Sequence, residues 1–90
     1  MLLKEFKILT VLTLENKIES ILIKYNNNET YEKINIEELE VILDKFIKDD
    51  LVKYKDGKYL ITSKGNYKVY TELKILNILS IDHLLYEDLK

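Results

Sequence analysis

The sequence predicts a small, mostly helical α+β domain that contains one β-hairpin. Apolar residues recur at three- and four-residue spacing in several segments, and two short alternating segments meet at an Asp-Gly pair. Helices and strands differ in the period of their buried side chains, so both patterns identify their elements. With 47% apolar and 33% charged residues, the 90-residue chain is suited to one core, and we expect a single domain over residues 1–90.

The N-terminal part predicts two helices. Residues 2–14 place apolar side chains at helical spacing. Asn16, followed by Glu19, resembles a capped start for a second helix, which the asparagines at 26–28 would end. Residues 30–34 then leave room for little more than one helical turn.

The clearest helix follows Asn35, which can cap it with Glu38 three residues on. Its apolar stripe predicts a buried side facing the core. The stripe consists of Ile36, Leu39, Ile42, Leu43, Phe46 and Ile47. The outward side would present Glu37, Glu38, Val41, Asp44, Lys45 and Lys48.

Asp56-Gly57 is a strong signal for a two-residue hairpin loop, because a type I′ turn needs positive φ at both positions. The register then follows. Val52 faces Ile61 and Tyr54 faces Tyr59 on one side of the hairpin. The opposite side would carry Leu51, Lys53, Lys55, Lys58, Leu60 and Thr62.

After the hairpin, Thr62 or Ser63 can cap a helix that runs from Lys64 to about Leu79, with a possible restart at Ser80. Seven of the eleven residues from 75 to 85 are apolar. They do not share one narrow stripe, so we expect this long apolar helix to be buried on more than one side.

Composition argues against several classes of function. The chain has no cysteine, one histidine and two glycines, so we expect no disulfide, no metal site, no phosphate-binding glycine loop, no cofactor and no enzymatic activity. No apolar run approaches the roughly 18 residues of a membrane span. We therefore expect a cytoplasmic protein with no membrane partner.

Charge is unevenly distributed along the chain. The net charge is −2, yet residues 53–74 hold six lysines and two acids. Every cation except the histidine is a lysine, and alanine, arginine, glutamine and proline are missing, which indicates an AT-rich coding sequence. The basic segment predicts a polyanionic partner, although arginine, the usual residue for guanine contacts, is absent.

Residues 16–79 resemble the winged helix-turn-helix superfamily of small archaeal, bacterial and viral regulators. The most specific part runs from Phe46 to Val52 and from Lys58 through the Thr62-Ser63-Lys64-Gly65 exit. The resemblance implies a winged-helix core at 16–62, with a recognition helix at 36–49 and a wing at 53–58. It also implies an added N-terminal helix and a C-terminal helix at 63–90 that forms a homodimer. The implied function is a transcriptional regulator that binds double-stranded DNA.

This resemblance assigns the sites. The wing and its flank would bind DNA through Lys53, Lys55, Lys58, Lys64 and Lys68, although lysines also commonly protect an exposed hairpin edge. The recognition-helix face would be Glu37, Glu38, Val41, Asp44, Lys45 and Lys48. The dimer interface would be Leu73, Leu76, Leu79, Ile81, Leu84 and Leu85.

The acidic side of the third helix leaves a second interpretation open. Glu37, Glu38, Glu40 and Asp44 are poorly suited to DNA and would suit a basic protein partner, as in a winged-helix adaptor of viral or plasmid origin. The seven tyrosines could stack on single-stranded bases, but they are scattered over all elements, so we expect core and half-exposed packing to explain most of them.

Overall fold

The computed structural model describes residues 1–27 and 32–75. This part of the chain forms four helices and an antiparallel hairpin, which confirms a mostly α fold with one small sheet. The elements are α1 (Leu3–Val11), α2 (Ile18–Asn26), α3 (Ile36–Lys48), β1 (Val52–Lys55), β2 (Lys58–Ile61) and α4 (Ser63–Ile75). Within these residues, no helix has the length and apolar character needed to cross a membrane.

Helix α1 lies in the middle of the core. All seven residues from Glu5 to Val11 are buried, and the helix packs against both α2 and α4. The buried Thr10 hydroxyl donates to the Phe6 carbonyl at 2.8 Å, which satisfies it inside the helix. The predicted N-terminal helix is therefore present, and its burial places it within the core.

The start of α2 differs from the predicted cap. Lys17 occupies the N-cap position, and no side chain accepts a hydrogen bond there. The Asn16 carbonyl accepts from the Tyr59 amide at 2.7 Å. Asn16 is thus bonded to the edge of the hairpin through its backbone. It contacts a residue distant in sequence and does not cap α2 as predicted.

The segment before α3 is held by Asn26, the last residue of α2. Its side-chain amide donates to the Ile34 carbonyl at 2.9 Å, and its side-chain oxygen accepts from the Ile34 amide at 3.0 Å. Residues 32–35 are not helical. The predicted turn at 30–34 is therefore absent over 32–34, while 30 and 31 lie outside the described residues.

Helix α3 begins as predicted, with the Asn35 side chain accepting from the Glu38 amide at 2.8 Å. Leu39, Ile42, Leu43 and Phe46 are buried, while the predicted stripe's ends at 36 and 47 are half-buried. The amphipathic pattern is confirmed.

The end of α3 is a Schellman motif built on Asp50. Asp50 has a φ of 62°, its amide bonds to the Ile47 carbonyl at 3.1 Å, and the Leu51 amide bonds to the Phe46 carbonyl at 2.9 Å. This reversal sends Leu51 into the core, where it is 6% exposed. The prediction that Leu51 shares the lysine side of the hairpin is wrong, because the left-handed residue redirects the chain before β1 begins.

The hairpin has the predicted turn and register. Asp56 and Gly57 both have positive φ, at 53° and 76°, and Val52 pairs with Ile61 and Tyr54 with Tyr59. The hairpin packs against α3 through β1 and against α4 through β2.

Thr62 joins the hairpin to α4. Its hydroxyl accepts from the Gly65 amide at 3.0 Å, the predicted cap, and donates to the Asp50 carbonyl at 2.6 Å. The described helix ends at Ile75 and exposes mainly polar and aromatic side chains. No long apolar helix occurs in residues 32–75; the apolar stretch that predicts one lies largely at 76–85, outside the described residues.

Candidate functional site

The outer side of the hairpin presents three lysines to solvent. Lys55 and Lys58 face each other across the turn, and Lys53 faces Leu60 on the same side. All three lysines are exposed, and none forms an ion pair with a residue in the described part of the chain. Like charges directly opposite each other destabilise a strand pair, so a bound anion would relieve a repulsion already present.

Two further lysines of the predicted patch lie on α4. Lys64 is exposed in the first turn, whereas the half-buried Lys68 pairs with Glu72 at 3.1 Å, four residues further on. Both line a groove of about 600 Å³ that extends to the N-terminal end of α1 and the C-terminal end of α3. The remaining lining residues are Met1, Glu5, Lys45, Phe46, Lys48, Asp49, Asp50 and Leu51. Three carboxylates oppose its four lysines, so this groove is less cationic than the hairpin.

Two ion pairs connect the predicted recognition-helix face to α1. Lys4 Nζ lies 2.7 Å from Glu38 Oε2, and this hydrogen bond raises the pKa of the Lys4 ammonium. Lys45 Nζ lies 2.9 Å from Glu5 Oε2. The carboxylate of Glu38 and the ammonium of Lys45 are thus already engaged within the chain.

The rest of that face forms an exposed strip along α3, which we call the α3 strip. It consists of Glu37, Val41, Asp44 and Lys48. Val41 is 69% exposed although it is apolar. The strip offers no asparagine, glutamine, serine or arginine, the side chains that usually contact base edges alongside lysine.

The inner side of the hairpin lies near the acidic flank of α3. The rings of Tyr54 and Tyr59 have centroids 4.8 Å apart at an interplanar angle of 59°. Burial raises the pKa of the Tyr59 hydroxyl, and the charges of Tyr54, Asp44 and Glu40 raise it further. The two sides of the hairpin therefore differ in electrostatic environment. The outer side carries lysines, and the inner side lies near carboxylates of α3.

Of the six residues predicted to form a dimer interface, only Leu73 is described. It is buried in the chain's own core, as is Val69 one turn earlier. Leu76, Leu79, Ile81, Leu84 and Leu85 lie outside the described residues.

The expectation that packing explains the tyrosines is wrong for two of them on α4. Tyr67 and Tyr70 are 74% and 64% exposed on α4. Their spacing of three residues places them on neighbouring positions of one helix face, a signal already readable in the sequence.

Within residues 1–27 and 32–75, no cluster of three or more histidine, aspartate or glutamate side chains is arranged to hold a metal ion. Comparisons with protein-family models, curated proteins and solved structures found no match to this chain.

Proposed function

We propose that this chain is a small winged-helix protein that binds duplex DNA, with the outer side of the hairpin contacting the phosphate backbone. The observation that carries the proposal is the exposure of Lys53, Lys55 and Lys58 on one strand face without carboxylate partners in the described residues. Ammonium groups in this position release counterions when they neutralise phosphates, which is the main source of sequence-independent affinity.

The order of elements supports the winged-helix assignment. Three helices precede a hairpin that packs against the third, and a capped helix follows. In this assignment α1 is the first core helix, α2 and α3 form the helix-turn-helix pair, and the hairpin is the wing. The resemblance alone implied a core at 16–62 with an added N-terminal helix, whereas this proposal counts α1 as part of the core.

The composition of the α3 strip determines the kind of binding we propose. Its two carboxylates would lie against phosphates in a major groove, and Lys48 is its only cation. Binding therefore depends mainly on backbone contacts through the wing, with weak discrimination between sequences and a steep dependence on salt.

A titration of unrelated duplexes at several salt concentrations tests the wing. Replacing Lys53, Lys55 and Lys58 by glutamate should weaken binding to all duplexes alike and reduce the salt slope by about one per lysine. Lys17→Glu provides the control, because Lys17 is also exposed but lies at the start of α2. Unchanged duplex binding by the triple variant would rule out the wing as the contact.

The proposal includes a homodimer that acts as a cytoplasmic transcriptional regulator. Pairing about a twofold axis would bury the apolar residues after Ile75 and present two wings to a palindromic site. Leu76→Glu combined with Leu79→Glu should give a folded monomer with weaker DNA binding, because attachment at two sites is lost. Light scattering that shows the unmutated chain to be monomeric at tens of micromolar would refute the dimer.

A second candidate function is a winged-helix module that docks a basic protein partner. One observation favours it: an exposed valine, Val41, stands between the exposed acids Glu37 and Asp44. Glu37→Lys combined with Asp44→Lys should abolish capture of such a partner. If the chain binds DNA through the wing, the same variant should bind duplexes more tightly, since it loses two repulsive charges.

A further inference from the structure

The outward face of α4 carries two large aromatic side chains with little protein contact. Tyr67 and Tyr70 are 74% and 64% exposed. Residues three apart on a helix have Cβ atoms about 5–6 Å from each other, so the two rings occupy adjacent positions on the surface. The helix is anchored on its other side by Val69 and Leu73, which are buried.

Ammonium groups lie at both ends of this aromatic pair. Lys64 precedes Tyr67 by three residues, Lys74 follows Tyr70 by four, and both lysines are exposed. At 100° per residue the four side chains fall within about 120° of the helix circumference, over a length of about 15 Å. We call these four residues the α4 face.

The α4 face carries no carboxylate. Glu72 is the only acid in the described helix, is half-buried, and pairs with Lys68 on the helix flank. Within the described residues, neither lysine of the α4 face forms an ion pair, and an aromatic pair between two such cations is complementary to a ligand that has flat rings and negative charge. A second copy of this chain that paired through the same face would instead bring lysine against lysine.

We propose that the α4 face binds single-stranded nucleic acid, with unpaired bases stacked on Tyr67 and Tyr70 and flanking phosphates contacted by Lys64 and Lys74. Stacking platforms combined with cationic tracks are the usual means of binding single strands without sequence preference. A base inside an intact duplex does not offer its ring face, so this surface distinguishes unpaired from paired strands.

This inference deepens the proposed function and rests on its general premise that the chain binds nucleic acid. It assigns the two nucleic-acid forms to different surfaces. The hairpin lysines contact duplex phosphates, and the α4 face, which begins three residues after β2 ends, holds an adjoining unpaired strand.

Fluorescence anisotropy with a labelled oligothymidine of about 16 nucleotides, the upper end of common site sizes, tests the inference. Tyr67→Ala with Tyr70→Ala should weaken single-strand binding at least about tenfold, since each stacked base contributes substantially. Binding to a blunt duplex should be unchanged.

Tyr67→Phe with Tyr70→Phe should retain single-strand binding because the ring faces remain. Ile23→Ala, at an exposed apolar side chain on α2, is the matched control.

The outcomes separate this inference from the proposed function. Loss of single-strand binding in the alanine variant supports the inference even if the hairpin triple variant binds duplexes normally, in which case only the wing proposal fails. An unmutated chain that does not bind oligothymidine, or an alanine variant that binds it normally, overturns the inference. Light scattering is measured in parallel, and an alanine variant that loses self-association while keeping single-strand binding shows that the face is a contact between copies.

Discussion

Lys45 donates to both carboxylate oxygens of Glu5, at 3.1 and 2.9 Å, and so joins the outward side of α3 to the N-terminal part of α1. The two partners differ in burial, since the Glu5 side chain is 10% exposed and that of Lys45 is 55%. The pair thus stabilises a carboxylate that the fold has largely removed from water.

Removal of this ammonium is the first prediction. Lys45→Met should lower the free energy of unfolding by about 1–2 kcal/mol, because a mostly buried carboxylate loses its partner, with the effect reduced by solvent around Lys45. Adding Glu5→Gln should recover part of the loss. Lys68→Met, which breaks a pair within one helix, should cost at most about 0.5 kcal/mol. Equal effects in denaturant titrations would show that the burial of Glu5 is unimportant.

Asp50 offers a stabilising substitution. Its φ of 62° is a conformation that glycine adopts without steric cost and that other residues adopt less readily. Asp50→Gly should raise the free energy of unfolding by about 0.5–1 kcal/mol, while Asp49→Gly, next to it but outside the left-handed region, should not. If Asp50→Gly instead lowers the free energy of unfolding, the Asp50 carboxylate stabilises the fold by more than its backbone strain destabilises it.

The two glycines should respond differently to alanine. A Cβ at Gly65 would lie 2.2 Å from the Leu51 carbonyl oxygen and 2.7 Å from Ile61 Cγ1, whereas one at Gly57 meets nothing within 4 Å. Gly65→Ala should cost about 2–3 kcal/mol through displacement of α4. Gly57→Ala should cost only about 1 kcal/mol, from positive φ. Thermal unfolding of both variants checks this order, and a reversed order would contradict the close approach of α4 to Leu51.

Helix capping provides a matched comparison between α3 and α2. Asn35→Ala should cost about 1 kcal/mol, because the Glu38 amide loses its acceptor. Lys17→Ala removes no capping bond and should have almost no effect. Lys17→Asp should stabilise α2 by supplying the absent acceptor. If Asn35→Ala is as stable as the unmutated chain in denaturant titration, the cap contributes little.

Tyr59 predicts a pH effect in the alkaline range. Its pKa is raised above the ordinary 10.0, first by burial and then by neighbouring negative charge, so the folded state favours the neutral phenol. The resulting stability is present below pH 10 and is lost as the pH rises through the folded-state pKa. Tyr59→Phe should reduce this alkaline loss in the melting temperature. In a tyrosinate absorbance titration, the Tyr59→Phe variant should lack a tyrosine that ionises above pH 10. If the tyrosine that it lacks ionises at the ordinary pH, the prediction is contradicted.

The local signals in the sequence predicted the elements whose geometry depends on nearby residues. Asp56-Gly57 specified its own turn and hence the register, and Asn35 specified its cap, because both depend on residues within four positions. Distant contacts were not predictable in this way. Asn16 pairs with Tyr59 across 43 positions, and no local pattern indicates that bond.

The candidate sites show the same division. Alternation along the strands predicted which hairpin lysines are exposed. The engagement of Glu38 and Lys45 by α1 depends on how two helices pack, so the sequence suggested a wider α3 face than the fold leaves available. The prediction for Leu51 was wrong for a local reason. The sequence Asp49-Asp50 does not indicate which of the two aspartates adopts positive φ, and this determines the direction in which Leu51 points.

The two hydrogen bonds between the Asn26 side chain and the Ile34 backbone have a consequence for how this fold tolerates change. They close the chain on itself at the exit of α2, so the starting point of α3 is set by one amide group. Because this contact joins positions 26 and 34 directly, we expect α2 and α3 to keep their relative placement when an epitope tag is inserted after Asn27.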